Sequence, residues 1–344
     1  MTHPVDPARR GALRVGVIGC GAVVQAIHVP VLARLTELWQ VVHVADVDAA
    51  AAAWVGRLTG ARVSTDGKAV IDDPEVQVVL VCSPHVHHAE HVIAACRAGK
   101  LAVLCEKPMC SNAQEAAAIA AASMESGVPV LTATMHLFDP AFAAAVAQWP
   151  ADLVPDFVES ECFLPPNSTF ADLASQLVFG SRSQAPPNAE PSAQFARIIL
   201  GLASHHIPLV RRLAPGPFEV RVATVTEPGG YNVTLKSPRT LVRMLAVVPS
   251  ETFSWQLHAH SEEACLRASF PPSYLQAGSS RAELTLAGEP MRTWQFSESG
   301  YVQEWRLLYQ IATGAEDSQN WVDAALGDLL LAEQIIAGFE EPRA

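Results

Sequence analysis

Residues 13–134 alternate two kinds of segment. Apolar runs at Val15–Ile18, Val41–Ala45, Val76–Val81, Leu101–Leu104 and Val128–Thr132 are separated by Ala-rich stretches with helical spacing. Those stretches are Val23–Leu38, Ala49–Leu58, Ala89–Ala98 and Ala113–Ser126. A run that is apolar at every position is buried on both faces, which is the condition of a parallel sheet. Strand–helix alternation then makes each connection a right-handed crossover and lays helices on both sides. The result is a doubly wound α/β fold. Gly127 stands where a helix C-cap precedes the next strand.

After residue 134 the pattern changes. Asp139-Pro140 opens one more Ala-rich helix, with the proline in its first turn. Runs rich in β-branched and aromatic residues follow at Phe157–Phe163, Phe218–Thr226, Tyr231–Leu235, Leu241–Val248, Thr252–His260, Ala264–Phe270, Ala282–Ala287 and Arg292–Phe296. Pro228-Gly229-Gly230 signals a hairpin, and helices are expected near 193–213, 301–313 and 318–338. Residues 165–192 carry Pro, Ser, Asn and Gln with little periodicity and read as a long loop. With 344 residues, two domains are expected. A flexible leader over 1–12 precedes a doubly wound α/β domain over 13–134. A C-terminal α+β domain over 135–344 is built on a large, mainly antiparallel sheet.

The net charge of −12 and the lack of any Lys/Arg run argue against a nucleic-acid partner. No segment approaches an uninterrupted apolar span, so no membrane partner is expected. The N-terminus lacks the apolar core of a signal peptide. Seven cysteines, with no C-x-x-C pair and a Cys105/Cys110 spacing unsuited to zinc, read as reduced thiols of a cytoplasmic protein with no metal site.

Gly19-Cys20-Gly21-Ala22-Val23-Val24 follows a strand and opens a helix. Gly19 permits the tight turn, and Gly21 lets backbone approach a pyrophosphate held at the helix N-terminus. Val24 takes the third glycine position, so the fingerprint is incomplete. Asp46 ends the second strand at the spacing of a ribose-binding acid. Its carboxylate accepts from both ribose hydroxyls and repels a 2′-phosphate, and no Lys or Arg neighbours it, which favours NAD over NADP. The competing role for Asp46 is a helix N-cap, which Asp48 fills equally well.

Leu101–Leu104 runs into Cys105-Glu106-Lys107-Pro108. A lysine at the carboxyl edge of a buried strand sits where open α/β folds bind ligands. Held beside a nicotinamide, it can hydrogen-bond a substrate hydroxyl and relay its proton, with its pKa lowered by partial burial. Glu106 can orient that lysine or polarise the cofactor amide. The competing reading is a solvated surface lysine.

Three stretches together resemble the Gfo/Idh/MocA family of oxidoreductases: Gly19 to Pro30 with His28, Ser83-Pro84-His85-Val86-His87-His88, and Ala98 to Pro108. The resemblance covers nearly all of 13–134 and only the layout beyond. It implies a Rossmann domain joined to a sheet domain that makes homo-oligomer contacts, dimer or tetramer, with the active site between domains. It also implies NAD(P)-dependent chemistry on a secondary alcohol of a sugar or cyclitol. By that resemblance Lys107 is the active-site lysine. Ser83, Pro84, His88 and Glu106 line the nicotinamide pocket, beside the Gly19–Val23 loop. His85 stands where many relatives carry Asn.

The segment Gly201-Leu-Ala-Ser-His205-His206-Ile-Pro208 is similar to the family's stretch carrying a catalytic histidine, and His205 suits a proton acceptor. A structural contact between helix and sheet is its alternative. Relatives usually carry Asp at the positions of Gly201 and often at Pro208, so the acid that orients the histidine is missing. His136 and His206 join His205 and Lys107 as substrate-binding candidates. Arg197, Asn167 and Glu161 are weaker ones, and Tyr274 and Trp255 read as core or sheet-face aromatics. His87 and His91, four apart, have the spacing to grip a metal, but only Glu90 is nearby to complete a site.

The expected function is NAD-dependent hydride transfer between nicotinamide and a secondary alcohol or ketone of a polyol-like small molecule. Lys107 activates the oxygen and His205 accepts the proton. The missing Asp and the 165–192 loop keep open an imine or other secondary-metabolite reductase. A cofactor-binding sensor that has lost catalysis is the non-enzymatic alternative.

Overall fold

The computed structural model describes residues 11–166, 190–316 and 321–339. The expected leader falls almost wholly outside these residues, as do Asn167 and most of the 165–192 segment. Two compact units divide the chain. One takes the described residues of 11–133 and 304–326, the other those of 134–166, 190–303 and 327–339. That 304–326 joins the first unit is not visible in the sequence, because a helix carries no mark of which sheet it covers.

The first unit holds strands β1 (Leu13–Ile18), β2 (Trp39–Ala45), β3 (Arg62–Ser64), β4 (Val78–Val81), β5 (Ala102–Glu106) and β6 (Val130–Ala133). They form a parallel sheet in the order β3-β2-β1-β4-β5-β6. The order reverses between β1 and β4, which makes the switch point where such sheets bind ligands. β4 is buried at all four positions, as continuous apolarity requires. The helices Ala49–Thr59 and Ala113–Ser126 are capped by Asp48 and Asn112 and end on Gly60 and Gly127 in the left-handed region. The expected helix Val23–Leu38 ends at Arg34. Strand β3 and the helix Gly67–Asp72 were not anticipated. A three-residue edge strand whose Val63 is 47% exposed leaves no apolar run to detect.

Register fixes what meets at the carboxyl edge. Ile18 pairs with Ala45 and with Val81, and Val81 pairs with Cys105. The residues that follow, Gly19, Asp46, Cys82 and Glu106, therefore emerge side by side.

The second unit holds β7 (Phe157–Phe163), β8 (Glu219–Val225), β9 (Gly230–Lys236), β10 (Leu241–Val247), β11 (Ser254–His260), β12 (Ala264–Ser269), β13 (Arg281–Leu286) and β14 (Arg292–Trp294). Their order is β14-β13-β12-β11-β7-β10-β9-β8, antiparallel except for the β7–β10 pair. The strands alternate burial, as in β11, where Trp255, Leu257 and Ala259 face the core. Each such side chain stabilises the unit by roughly 1.5–3 kcal/mol when large and fully buried. Pro228-Gly229-Gly230 does join the β8–β9 hairpin. The helix Pro140–Ala147 is capped by Asp139, which accepts from Ala141 N and Phe142 N and also from Ser280 N and Oγ. The helix expected over 193–213 is broken into Pro191–Ile198, a π-turn at Ile199–Ala203, and Ser204–Leu213. Pro208 inside the last segment has no N–H to return to the Ser204 carbonyl. No helix among the described residues is long and apolar enough to cross a membrane.

Candidate functional site

The glycine loop is built by its neighbours. Gly19 has φ +92°, and a Cβ there would lie 2.4 Å from the Cys82 carbonyl carbon and oxygen. Only glycine can make this turn against the β4 edge. At Gly21 a Cβ would meet nothing within 4 Å. That open approach lies at the start of the helical run 22–34, whose first turn contains Ala22 and Val23. Backbone accessible at a helix N-terminus is the donor arrangement a pyrophosphate takes. Val24 is fully buried at the third glycine position, and the helix widens there into a π-turn over Val24–His28. A wide turn lets a bulkier residue pack where glycine would otherwise be needed, and π-turns of this kind recur at functional sites.

Asp46 is tied to the same loop. Its Oδ2 accepts from Cys20 N at 2.6 Å and its Oδ1 from Asp48 N at 2.8 Å. The helix cap is Asp48, whose carboxylate accepts from Ala50 N and Ala51 N. Asp46 is thus not spent on capping, and each of its oxygens keeps a lone pair for a ribose hydroxyl.

The loop after β4 carries Ser83 and Pro84. Ser83 Oγ lies 3.0 Å from His91 Nδ1, and Pro84, His85 and His87 are exposed. His88 is buried. Its Nδ1 meets the Pro108 carbonyl and its Nε2 the Ser83 carbonyl, both at 2.7 Å. Burial lowers its pKa, and the two carbonyls oppose that shift. His88 therefore ties the β4 and β5 loops together rather than presenting a nitrogen to solvent. No group of three or more His, Cys, Asp or Glu side chains converges on a metal position among the described residues.

At the end of β5, Glu106 Oε2 accepts from Lys107 N at 3.1 Å, and Oε1 lies 3.1 Å from His28 Nε2. His28 is fully buried, and its Nδ1 faces the indole Nε1 of Trp305 at 3.1 Å. An indole N–H only donates, so Nδ1 accepts and the proton sits on Nε2, pointing at Glu106. Burial alone raises the Glu106 carboxyl. The His28 hydrogen bond, the neighbouring Lys107 charge and the Lys107 N–H outweigh it and hold Glu106 below the usual carboxylate range. Lys107 is half-buried, and burial pushes its ammonium below the usual lysine range while Glu106 pulls the other way. A lysine so placed can bind a hydroxyl oxygen and take its proton. Sequence reasoning missed His28, Trp305 and Glu304 as contributors here; only the Gly19–Pro30 resemblance touched His28.

In the second unit, His136, His205 and His206 gather around Trp255. The His136 ring is 4.2 Å from Trp255, 4.6 Å from Phe270 and 5.5 Å from His205 between centroids. His205 is partly exposed and stands edge-on to Trp255 at 5.4 Å. His206 is fully buried, with Nδ1 facing the Ser160 carbonyl at 3.3 Å, and burial pushes its pKa down to about 4. It packs against Trp255 and Tyr231 as part of the core. Trp255 is a core residue as expected, Arg197 is exposed, and Glu161 and Tyr274 are partly buried. Gly201 is exposed on the π-turn, and a Cβ there meets nothing within 4 Å.

Residues 13–134 match the model of an oxidoreductase family with an NAD-binding Rossmann fold. Inositol 2-dehydrogenase 3 of Saccharopolyspora erythraea is 43% identical over 115 residues, 33% of this chain and 33% of that protein. Inositol 2-dehydrogenase of Pseudomonas savastanoi pv. phaseolicola is 43% identical over 118 residues, 34% of each chain. The match thus spans about a third of the length of these curated relatives. KijD10, a 3-ketoreductase from Actinomadura kijaniata solved with NADP and TDP-benzene, superposes with a TM-score of 0.75 at 17% identity, over 96% of this chain and 99% of that one. UDP-N-acetylglucosamine 3-dehydrogenase GnnA from Acidithiobacillus ferrooxidans gives the same TM-score of 0.75, identity of 17% and coverage of 96% and 99%. At that identity the likeness is one of fold. Over residues 13–134, about a third of the chain, motif, sheet order and relatives agree with the Gfo/Idh/MocA oxidoreductase family.

Proposed function

We propose that the protein is an NAD-dependent oxidoreductase that moves a hydride between nicotinamide and a secondary alcohol or ketone of a sugar or cyclitol-like substrate. The observation that carries this is register: Glu106, next to Lys107, stands in line with Gly19 and Asp46 at the carboxyl edge of the parallel sheet. The inositol dehydrogenases matched over this segment support a cyclitol or sugar as substrate.

NAD supplies the hydride acceptor when bound. Gly19 and Gly21 shape the pyrophosphate turn, Ala22 and Val23 open the helix above it, and Asp46 takes the ribose hydroxyls. Ser83 and Pro84 border the nicotinamide end, with His88 holding their loop. Lys107 binds the hydroxyl oxygen and takes its proton as the carbinol C–H bond breaks with its electron pair and C=O forms. His205, beside His136, is assigned as a substrate contact and as the alternative acceptor of that one proton. His206 supports that pair from the core. Asp46 favours NAD, because a 2′-phosphate would face its carboxylate with no Lys or Arg in Ala45-Asp46-Val47-Asp48 to offset the repulsion.

The partner is a second copy of the chain. Arg243, Glu159, His258, Arg267 and Glu283 align in one row across β10, β7, β11, β12 and β13. A row mixing arginines and glutamates is self-complementary under a two-fold axis. None of the seven cysteines is in a disulfide, which fits a reducing cytoplasm.

The test is a panel of cyclitols, sugars and their ketones with NAD and NADP, read by nicotinamide absorbance. Hydride exchange with a polyol, faster with NAD, is expected. Tight nucleotide binding with no exchange on any member would contradict the reading.

A further inference from the structure

Glu304 opens the 304–326 segment of the first unit. It is fully buried, and neither carboxyl oxygen has a hydrogen-bond partner among the described residues. The next residue, Trp305, is the one that locks His28 against Glu106. Two carboxyl groups thus share one buried neighbourhood, but they are not equivalent. Glu106 receives two donors, His28 Nε2–H and Lys107 N–H, each at 3.1 Å. Glu304 receives none from the described residues. A buried carboxylate without donors is far costlier than a neutral acid, and two such groups within electrostatic reach cannot both ionise readily.

We propose that Glu106 and Glu304 hold one proton between them, resident on Glu304, and that the Trp305–His28 hydrogen bond fixes this assignment so that a single negative charge, on Glu106, stands beside Lys107. Glu304 is then a positioning residue, because it acts through Glu106. Burial, and after it the Glu106 charge, pushes Glu304 well above the usual carboxyl range. Cys82 is the other titratable group that feels it, and its thiol is itself pushed up by burial, next by Glu106. Were Glu304 ionised, a second negative charge would hold Lys107 more firmly as ammonium and withdraw its ability to take a proton. The inference rests on the reading of Lys107 as the oxygen-binding group, but only for that consequence.

The test uses the full-length protein labelled with carboxyl-13C glutamate and examined without cofactor by infrared spectroscopy at pH 8. The label separates glutamate from the buried aspartates. A protonated glutamate band is expected in the wild type and should vanish in Glu304→Gln. No such band in the wild type, which needs no variant to fold, would overturn the inference, as would a band that survives Glu304→Gln. The Lys107 titration, followed by NMR of 15N-lysine, should keep its midpoint in Glu304→Gln, since one neutral group replaces another. A fall of about one pH unit or more would show that Glu304 carried charge. In Trp305→Phe the Glu106 carboxylate signal should titrate at higher pH, and an unchanged Glu106 titration would remove Trp305 from the account. None of these readouts depends on turnover. Their failure therefore refutes the shared proton and leaves the hydride-transfer reading to its own test.

Discussion

The indole Nε1 of Trp305 donates to His28 Nδ1 at 3.1 Å, which turns the proton-bearing Nε2 of His28 onto Glu106 Oε1 at the same distance. Trp305 is itself held edge-on by Trp39 at 5.2 Å. A relay of rigid, buried rings thus sets the orientation of the carboxylate next to Lys107.

That carboxylate opposes the burial that lowers Lys107. Glu106→Gln removes the opposing charge, so the Lys107 pKa falls further. The rate of alcohol oxidation rises with pH as Lys107 loses its proton. Its midpoint should lie below the ordinary lysine value in the wild type and lower still in Glu106→Gln. A pH–rate profile of both proteins checks the sign.

The two loop glycines should respond differently. Gly19→Ala puts a Cβ 2.4 Å from the Cys82 backbone at a positive φ, costing about 2 kcal/mol or more in stability. Gly21→Ala has no clash to relieve, so its melting temperature should stay near wild type while dinucleotide binding weakens by at least about tenfold. Thermal denaturation paired with a binding titration separates the two.

Asp46→Ala removes both the ribose acceptor and the anchor of Cys20 N–H. Hydrogen bonds to a charged group contribute roughly 1.5–3 kcal/mol. NAD-dependent kcat/KM should therefore drop about 10- to 100-fold. NADP-dependent kcat/KM should fall less, because a repulsion is lost at the same time.

His206 supplies a stability prediction. Its folded pKa is about 4, depressed by burial, against about 6.5 in an unfolded chain. Between those values the unfolded state binds the extra proton, so folded stability falls as pH drops from 6.5 toward 4. The loss is of order 3 kcal/mol. Comparing wild type with His206→Leu by denaturant unfolding at pH 7 and pH 5 captures about 2 kcal/mol of it. The variant is less stable at pH 7, where Ser160 loses its partner, and it is less sensitive to the pH change.

The glycine loop, Asp46 and Lys107 were legible in the sequence because each is written locally, at the end of an apolar strand, and parallel register brings strand ends together. His28 and Trp305 were not, because their bond spans 277 residues and His28 reaches Glu106 across 78. Glu304 on its helix reads as an ordinary polar position. Only the fold shows that the first unit recruits it. The adjacent His205 and His206 were also inseparable by pattern. The π-turn at Ile199–Ala203 adds a residue to the helical phase, and that phase places His206 in the core and leaves His205 partly exposed.

The central claim is that Lys107 takes the substrate proton in a nicotinamide-dependent hydride transfer. Turnover of Lys107→Ala, measured beside its NAD affinity on a substrate the wild type oxidises, tests it most directly. The account predicts NAD binding within about threefold of wild type and turnover reduced by at least ~100-fold. Undiminished turnover in the variant would contradict it.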